Sequence, residues 1–340
     1  MKPLVIARAR RRLFMLGTLV LFVLIGTGCV TSDVGPQDYM TVEGPVARRA
    51  DSLWNVTFAI AVIVFVIVQG LLVYAIVKFR HRPGRQAAQF HGNTKVEVVL
   101  TLIPALILAG LAIPTVKAIA DLSEKPEGAL NVTVTAKQFW WQYEYTDHGV
   151  MTANEMHVPT GQPVFLTLEG ADVIHSFWIP KLTGTQDVIP GRTNHMHFQA
   201  DEPGEYYGQC KEYCGLSHAN MRLRVIAHPP AEFERWVAEQ QEEAEDPTDP
   251  LAQEGQEIFM QTCTNCHAIA GTDAKATTAP DLTHFASRST FAGAMFDNNT
   301  ENLRTWIRDP LAVKPGSLMP DYGLSEDQID AVVAYLQTLR

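Results

Sequence analysis

Two long, mostly apolar runs, Leu53–Val77 and Val96–Ala120, set the first limit on what this 340-residue chain can become. Each holds about 20 or more residues, enough for a helix to cross a hydrocarbon core of about 30 Å. A segment in lipid must satisfy its own backbone groups, so both are read as transmembrane helices. The intervening "KFRHRPGRQ" carries Lys78, Arg80, Arg82 and Arg85, and the excess of positive charge places this short loop in the cytoplasm, with both outer ends of the hairpin facing away from it. Pro104 and Pro114 fall inside the second run, where neighbouring helices can satisfy the carbonyls they free. The hairpin is expected over residues 50–121, and everything beyond reads as water-soluble.

A third apolar run, Leu13–Gly28, follows Lys2, Arg8, Arg10, Arg11 and Arg12, the layout of a secretory signal peptide over residues 1–28. Its ending "LIGTGC" resembles the lipobox of bacterial lipoproteins, which would make Cys29 a lipid-bearing residue, although Gly26 stands where that motif prefers Leu. A signal with an incidental cysteine is the alternative. The net charge of −10 is mostly local: eight acidic residues lie between 232 and 249 against Arg235 alone. Residues 229–250 therefore read as a solvated acidic helix followed by a linker, ending in "EDPTDP". Nothing in the charge pattern points to nucleic acid.

From about residue 128 to 228 the apolar period becomes two, as in "NVTVTAKQFWWQYEY", "PVFLTLEG" and "MRLRVIAH", with turn residues between. Several short strands over about 100 residues make a β-sandwich or barrel. Within it, "QCKEYCGLSHANM" spaces Cys210, Cys214, His218 and Met221 as C-x3-C-x3-H-x2-M. A disulfide would use the thiols and leave the imidazole and thioether unexplained, whereas together they are soft ligands suited to copper. A second imidazole has to come from elsewhere, and His175 in "DVIHSFWIP" is the best supplier. His195 and His197 fall on one face of a strand and read as structural.

Taken in order, "HSFWIP", "TQDVIPGRTN" and "GQCKEYCGLSHANM" resemble subunit II of the haem-copper cytochrome oxidases, and with the preceding hairpin the resemblance covers residues from about 50 to 228. It implies a cupredoxin-type barrel holding a binuclear copper centre, CuA. By position, Cys210 and Cys214 would bridge two coppers, His175 and His218 would each bind one, Met221 would be the weak ligand of one, and Glu212 would bind the other through its carbonyl. The resemblance also implies a magnesium or manganese ion on the Glu212 carboxylate, at the interface with subunit I. Glu97 matches a glutamate at the mouth of a proton-uptake pathway, though a carboxylate there can also serve the helix N-terminus. The run Phe139, Trp140, Trp141 resembles the segment where an external cytochrome hands over its electron. That family usually has Trp where this chain has Phe139, and aromatics at strand spacing are commonly barrel packing.

Residues 251–340 return to helical spacing and contain "CTNCH". C-x-x-C-H is a c-type haem attachment motif, with Cys263 and Cys266 forming thioethers and His267 the proximal ligand. A sixth ligand of Met type would give the raised potential of an electron carrier. Met319 in "KPGSLMPDYG" is the choice, Met295 and Met260 being rivals. The segment resembles class I cytochrome c, with Trp306 and the last helix packing its core. A fused donor on a short linker explains the missing outer tryptophan, since a flexible tether supplies an effective concentration on the order of mM.

The expected protein is therefore multidomain: a two-helix membrane hairpin, an all-β cupredoxin-like barrel and an all-α cytochrome c domain, the last two on the extracytoplasmic side of a bacterial plasma membrane. The resemblance implies an electron-transfer subunit with two coppers and one haem c, working with oxidase subunit I, other subunits and an external electron donor, in a reaction coupled to proton pumping. The chain has none of the multi-histidine membrane helices that oxygen reduction needs, so no catalytic residue is expected in it. A copper-dependent nitric oxide reductase subunit and, from another class, a membrane-anchored copper-delivery protein remain alternatives.

Overall fold

The computed structural model describes residue 17, residues 35–81, 83, 84 and 86, and residues 92–340. Apart from residue 17, the expected signal peptide lies outside the described residues, as do Cys29, Arg82 and Arg85. Helix α1 (Pro45–Lys78) and helix α2 (Thr94–Ser123) form the hairpin, each long and apolar enough to cross a membrane. Their mid-portions turn large side chains such as Phe65, Leu72, Leu106 and Ile113 outward. Such an apolar surface is unfavourable in water and ordinary in lipid. Helix α2 runs unbroken through Pro104 and Pro114 and is capped by the Asn93 side chain.

The outer end of the hairpin is fixed to the next domain. Arg48 pairs with Asp201 at 2.5 Å, Arg49 pairs with Asp121 across the two helices, and the Glu43 amide donates to the Lys181 carbonyl at 2.9 Å. Gly44 lies so close to the barrel that a Cβ on it would stand 2.2 Å from the Gln199 oxygen.

The middle domain is a β-sandwich of two five-stranded sheets, the cupredoxin-like barrel expected. One sheet runs β3 (Val150–Ala153), β2 (Trp140–Tyr145), β1 (Leu130–Lys137), β5 (Val164–Gly170), β8 (Asn194–Phe198). The other runs β4 (Glu155–Pro159), β10 (Arg222–His228), β9 (Gly204–Cys210), β6 (His175–Trp178), β7 (Thr185–Val188). The pairs β1/β5 and β4/β10 are parallel and the rest antiparallel. Alternation along β1 buries Leu130, Val132, Val134 and Ala136, and the inner faces meet around Trp141, Tyr143, Phe177 and Phe198. A Val, Leu or Phe among them, once fully buried, contributes about 1.5–3 kcal/mol. The alternating run "NVTVTAKQFWWQYEY" proves to be a hairpin, turning at Gln138 and Phe139 so that β1 and β2 pair antiparallel.

The acidic segment departs from expectation. Helix α3 (Pro230–Gln240) is not a solvated rod: Phe233 and Val237 are buried in the barrel core, Trp236 stacks on His157 at 4.3 Å, and the Gln241 side chain donates to the His148 carbonyl at 2.7 Å. The acidic residues occupy the outer face. Beyond it the Ala244 amide donates to the Ala270 carbonyl at 3.1 Å, so the linker touches the last domain as well.

That domain is helical. Helix α4 (Pro250–Thr262), capped by Asp249, crosses helix α7 (Glu326–Leu336), whose start is closed by the Ser325/Gln328 capping box. The crossing is close because Gly255 has no side chain: a Cβ there would lie 1.8 Å from the Ala331 oxygen. A short hairpin of β11 (Thr290–Phe291) and β12 (Phe296–Asp297), helix α5 (Thr300–Arg308) and a single turn α6 (Pro310–Val313) complete it. Arg308 pairs with Glu326 at 2.6 Å and ties α5 to α7. Trp306, half-buried, and the terminal helix pack the core as expected.

Candidate metal centre

Strand β9 ends at Cys210, and the chain then loops through Cys214 to a 3-10 turn at His218–Asn220 and back into β10. The loop is pinned at its base, where the Cys210 amide donates to the Met221 carbonyl at 2.9 Å. His175 opens the neighbouring strand β6, which pairs with β9 at Phe177 and Cys210. These registers bring a residue from position 175 beside the 210–221 loop.

All six expected ligands meet there. The two sulfurs lie 3.9 Å apart, too far for a disulfide of about 2.05 Å. With metal–thiolate bonds of about 2.3 Å, both sulfurs can reach an ion placed between them. His175 Nδ1 is 3.9 Å from Cys210 Sγ, His218 Nδ1 is 3.6 Å from Cys214 Sγ, and Met221 Sδ is 3.9 Å from Cys214 Sγ. The Glu212 carbonyl oxygen lies 3.2 Å from Cys210 Sγ, while the Glu212 side chain is exposed. The ligand atoms of His175, Cys210 and Cys214 lie within 4.8 Å of one another, all three side chains being buried.

The electrostatics suit a cation. The hydrogen bond between the thiols draws the Cys210 pKa down to about 4, helped by His175 and the Ser176 and Glu212 backbone. The same bond, with burial, holds Cys214 above the thiol range. Burial alone would lower the His175 pKa, but hydrogen bonds to Cys210 and Asp172 raise it. Two thiols, a thioether and two imidazoles with Nδ1 turned inward are soft donors that fit copper.

Asp172 is a site residue that sequence reasoning missed. Its carboxylate accepts from His175 Nε2 at 2.7 Å and from the Gln138 amide at 2.6 Å, fixing the imidazole so that Nδ1 faces the sulfurs. Its position three residues before His175 was the available signal. Gln138 was missed too; its side-chain amide donates to the Cys214 carbonyl.

In the helical domain a cavity of about 400 Å³ is lined by Cys263, Cys266, His267 and Met319, within the usual range for small-molecule sites. His267 Nδ1 donates to the Pro280 carbonyl at 2.7 Å, which leaves Nε2 free, and burial lowers its pKa, favouring the neutral imidazole a metal needs. Met319 lines the cavity, while Met260 packs into the core and Met295 is not part of the wall. Arg288, also on the wall and buried, has a guanidinium Nε with no hydrogen-bond partner among the described residues. A buried cation with a spare donor fits an anionic group such as a haem carboxylate. No sequence motif marked it.

The cavity is also bounded by the β domain, at Gln138, Phe139, Trp140 and Asp172. Phe139 is buried, and a Cβ on Gly215 would lie 3.1 Å from its ring, so this side chain touches the copper loop and the haem cavity together. Trp141 instead points into the barrel, edge-on to Phe177 at 5.1 Å. His195 stacks on Phe165 at 5.2 Å, away from both sites. At the other end of the molecule, Glu97 accepts a hydrogen bond from the Asn93 amide at 3.3 Å and so serves the helix start.

Comparison with known proteins agrees with this layout. Residues 37–118 match the model of the cytochrome c oxidase subunit II transmembrane domain, residues 149–228 that of its periplasmic domain, and residues 252–340 that of cytochrome c. The chain is 37% identical to cytochrome c oxidase subunit 2 of Alkalihalophilus pseudofirmus, covering 97% of each chain. It is 34% identical to cytochrome c oxidase subunit 2 of Bacillus subtilis, covering 97% of this chain and 98% of the other. Among solved structures, the periplasmic domain of subunit II of the Bradyrhizobium japonicum cytochrome oxidase is 34% identical, with 34% of this chain and 96% of that one covered and a TM-score of 0.33.

Proposed function

Since the chain belongs to the cytochrome c oxidase subunit II family, as a membrane-anchored oxidoreductase component with a fused cytochrome c domain, we propose that it takes electrons at that domain and relays them through the β domain to the oxygen-reducing subunit. The observation that carries this reading is the shared boundary: Phe139 lies against both the haem cavity and the copper loop.

When bound, a haem c and a copper pair supply one-electron carriers, and the chain's residues hold them. Cys210, Cys214, His175, His218 and Met221, with the Glu212 carbonyl, would hold the copper pair, which would supply a one-electron store. Asp172 keeps the His175 ring in its binding tautomer. Protein donors close the site, so the centre carries charge and does not bind substrate. Cys263 and Cys266 would hold the haem covalently, His267 and Met319 would ligate its iron, and Arg288 would meet its carboxylates. Phe139 and Trp140 form the path out of the cavity.

The exposed Glu212 carboxylate supplies a ligand for magnesium or manganese where subunit I would dock. Both water-facing domains stand on the periplasmic side, and Glu97 at the cytoplasmic start of α2 serves proton uptake for a pumping oxidase. The external donor fills the haem.

The test is made on the assembled oxidase: the haem is flash-reduced, and copper reduction and oxygen uptake are followed together. The expected result is haem oxidation matched by copper reduction and then oxygen uptake. In Cys214→Ser the haem is still reduced, but copper reduction and oxygen uptake vanish. Oxygen uptake that survives in Cys214→Ser would reject the relay.

A further inference from the structure

A haem domain on a flexible tether meets its partner by repeated search, and its docking surface resembles a transient interface, wet and held by exposed charges. The contacts between the two water-facing domains are of another kind. Glu155, on β4, is fully buried at 0% exposure. Its recorded donors among the described residues all come from the haem domain: the amide and hydroxyl of Ser289 at 3.0 and 2.6 Å, and the amide and hydroxyl of Thr290, both at 2.6 Å. A carboxylate removed from water needs its oxygens satisfied with good geometry, and this socket provides two backbone and two hydroxyl donors.

A second anchor runs the opposite way. Lys314, buried in the haem domain, extends its ammonium to the Phe139 carbonyl of the β domain at 2.7 Å and to the Ala292 carbonyl of its own domain at 2.6 Å. Beside it the Ser217 hydroxyl, in the copper loop, donates to the Pro315 carbonyl at 2.6 Å, and the Arg222 amide donates to the Gly293 carbonyl at 3.0 Å. The backbones touch: Gly293 has φ +79°, and a Cβ on it would stand 2.7 Å from the Asn220 oxygen and 2.9 Å from the Phe139 oxygen. These anchors surround Phe139, the residue shared by the two sites.

We propose that the haem domain is seated permanently on the β domain by the Glu155 socket and Lys314, so that electrons cross to the copper loop in one fixed geometry, at the Phe139 contact, without a tethered search. This rests on the relay function given above. Lys314 is a positioning residue: it holds the Phe139 peptide between cavity and loop. The short acidic connection then joins two parts of one rigid unit and is not a concentrating tether.

The test uses the full chain, matured with haem and copper, with two readouts: hydrogen exchange at the Ser289, Thr290 and Arg222 amides, and flash-induced haem-to-copper transfer at rising glycerol viscosity. The seated domain predicts protection at those amides comparable to the β-sandwich core and a single transfer phase independent of viscosity. Glu155→Gln and Lys314→Met should each speed exchange at Ser289 and Thr290 by about tenfold or more, and add a slower, viscosity-dependent transfer phase, with haem and copper spectra unchanged. Rapid exchange in the unmodified chain, transfer that scales with viscosity, or two variants that change neither readout would overturn the proposal. A chain that protects these amides yet takes up no copper would uphold the seat and reject the relay. Both metals bound with viscosity-limited transfer would uphold the relay and reject the seat.

Discussion

Replacing Gly255 by Ala sets two effects of opposite sign against each other. In an isolated helix the substitution gains about 1 kcal/mol, because Ala loses less backbone entropy than Gly. In this protein the new Cβ would stand 1.8 Å from the Ala331 oxygen, 2.4 Å from its carbonyl carbon and 3.0 Å from Tyr335 Cβ. The first two atoms are backbone of α7 and cannot rotate away, so the helices must part by roughly 1 Å or more to restore ordinary contact. Overpacking of this kind costs about 1–3 kcal/mol, and parting α4 from α7 also loosens the Phe259 and Tyr335 rings, now 5.6 Å apart in the core between them. With the loosened aromatic pair added, the packing loss exceeds the propensity gain, leaving a net destabilisation of about 1–2 kcal/mol. For a domain of about 90 residues this lowers Tm by roughly 4–16 °C. The assay is thermal unfolding of the haem-loaded full chain followed by haem absorbance, since Phe259, Val332 and Leu336 from both helices line the haem cavity. A Gly255→Ala protein as stable as the parent, or more so, would refute the close-crossing argument.

Other perturbations separate the remaining roles. Asp172→Asn should weaken copper retention by about 10- to 100-fold in chelator competition while the barrel stays folded, and unchanged retention would remove Asp172 from the site. Met319→Leu should leave the haem covalently attached but lower its midpoint potential, whereas Met260→Leu and Met295→Leu should not; a potential unmoved by Met319→Leu means another sixth ligand. Burial, with His228 and Arg288 nearby, holds the His157 pKa down to about 3 from an ordinary 6.5. The unfolded chain therefore binds the extra proton first, and stability is lost as pH falls from about 6.5 towards 3, by up to a few kcal/mol in order of magnitude. His157→Phe should flatten that slope in denaturant titrations read by tryptophan fluorescence, and an unaltered slope would assign the acid sensitivity elsewhere.

What could be read from the sequence was local in the chain. Cys210, Cys214, His218 and Met221 share one loop, and Cys263, Cys266 and His267 share one turn, so spacing alone groups these candidate ligands. His175 was reachable because a strand end with an imidazole was the missing donor. The groups that orient and join the sites were not legible, because their contacts span the chain: Lys314 meets Phe139 across 175 positions and Glu155 meets Thr290 across 135. No propensity or periodicity encodes such pairs. The acidic segment is different, since its apolar residues Phe233, Trp236 and Val237 stand at i, i+3 and i+4, a helical stripe that the charge count outweighed. In "QFWWQYEY" the alternation runs across a turn, and only strand pairing shows that Trp141 faces the core while Phe139 faces the neighbouring domain.

In the proposed relay one chain holds a copper pair and a single haem c in electronic reach of each other. Its most direct test is the metal content of the purified full chain, read together with the electron paramagnetic resonance spectrum of the oxidised copper. The relay requires two coppers per covalent haem and one unpaired electron shared equally by two copper nuclei. One copper per haem, or an electron localised on a single nucleus, would contradict it.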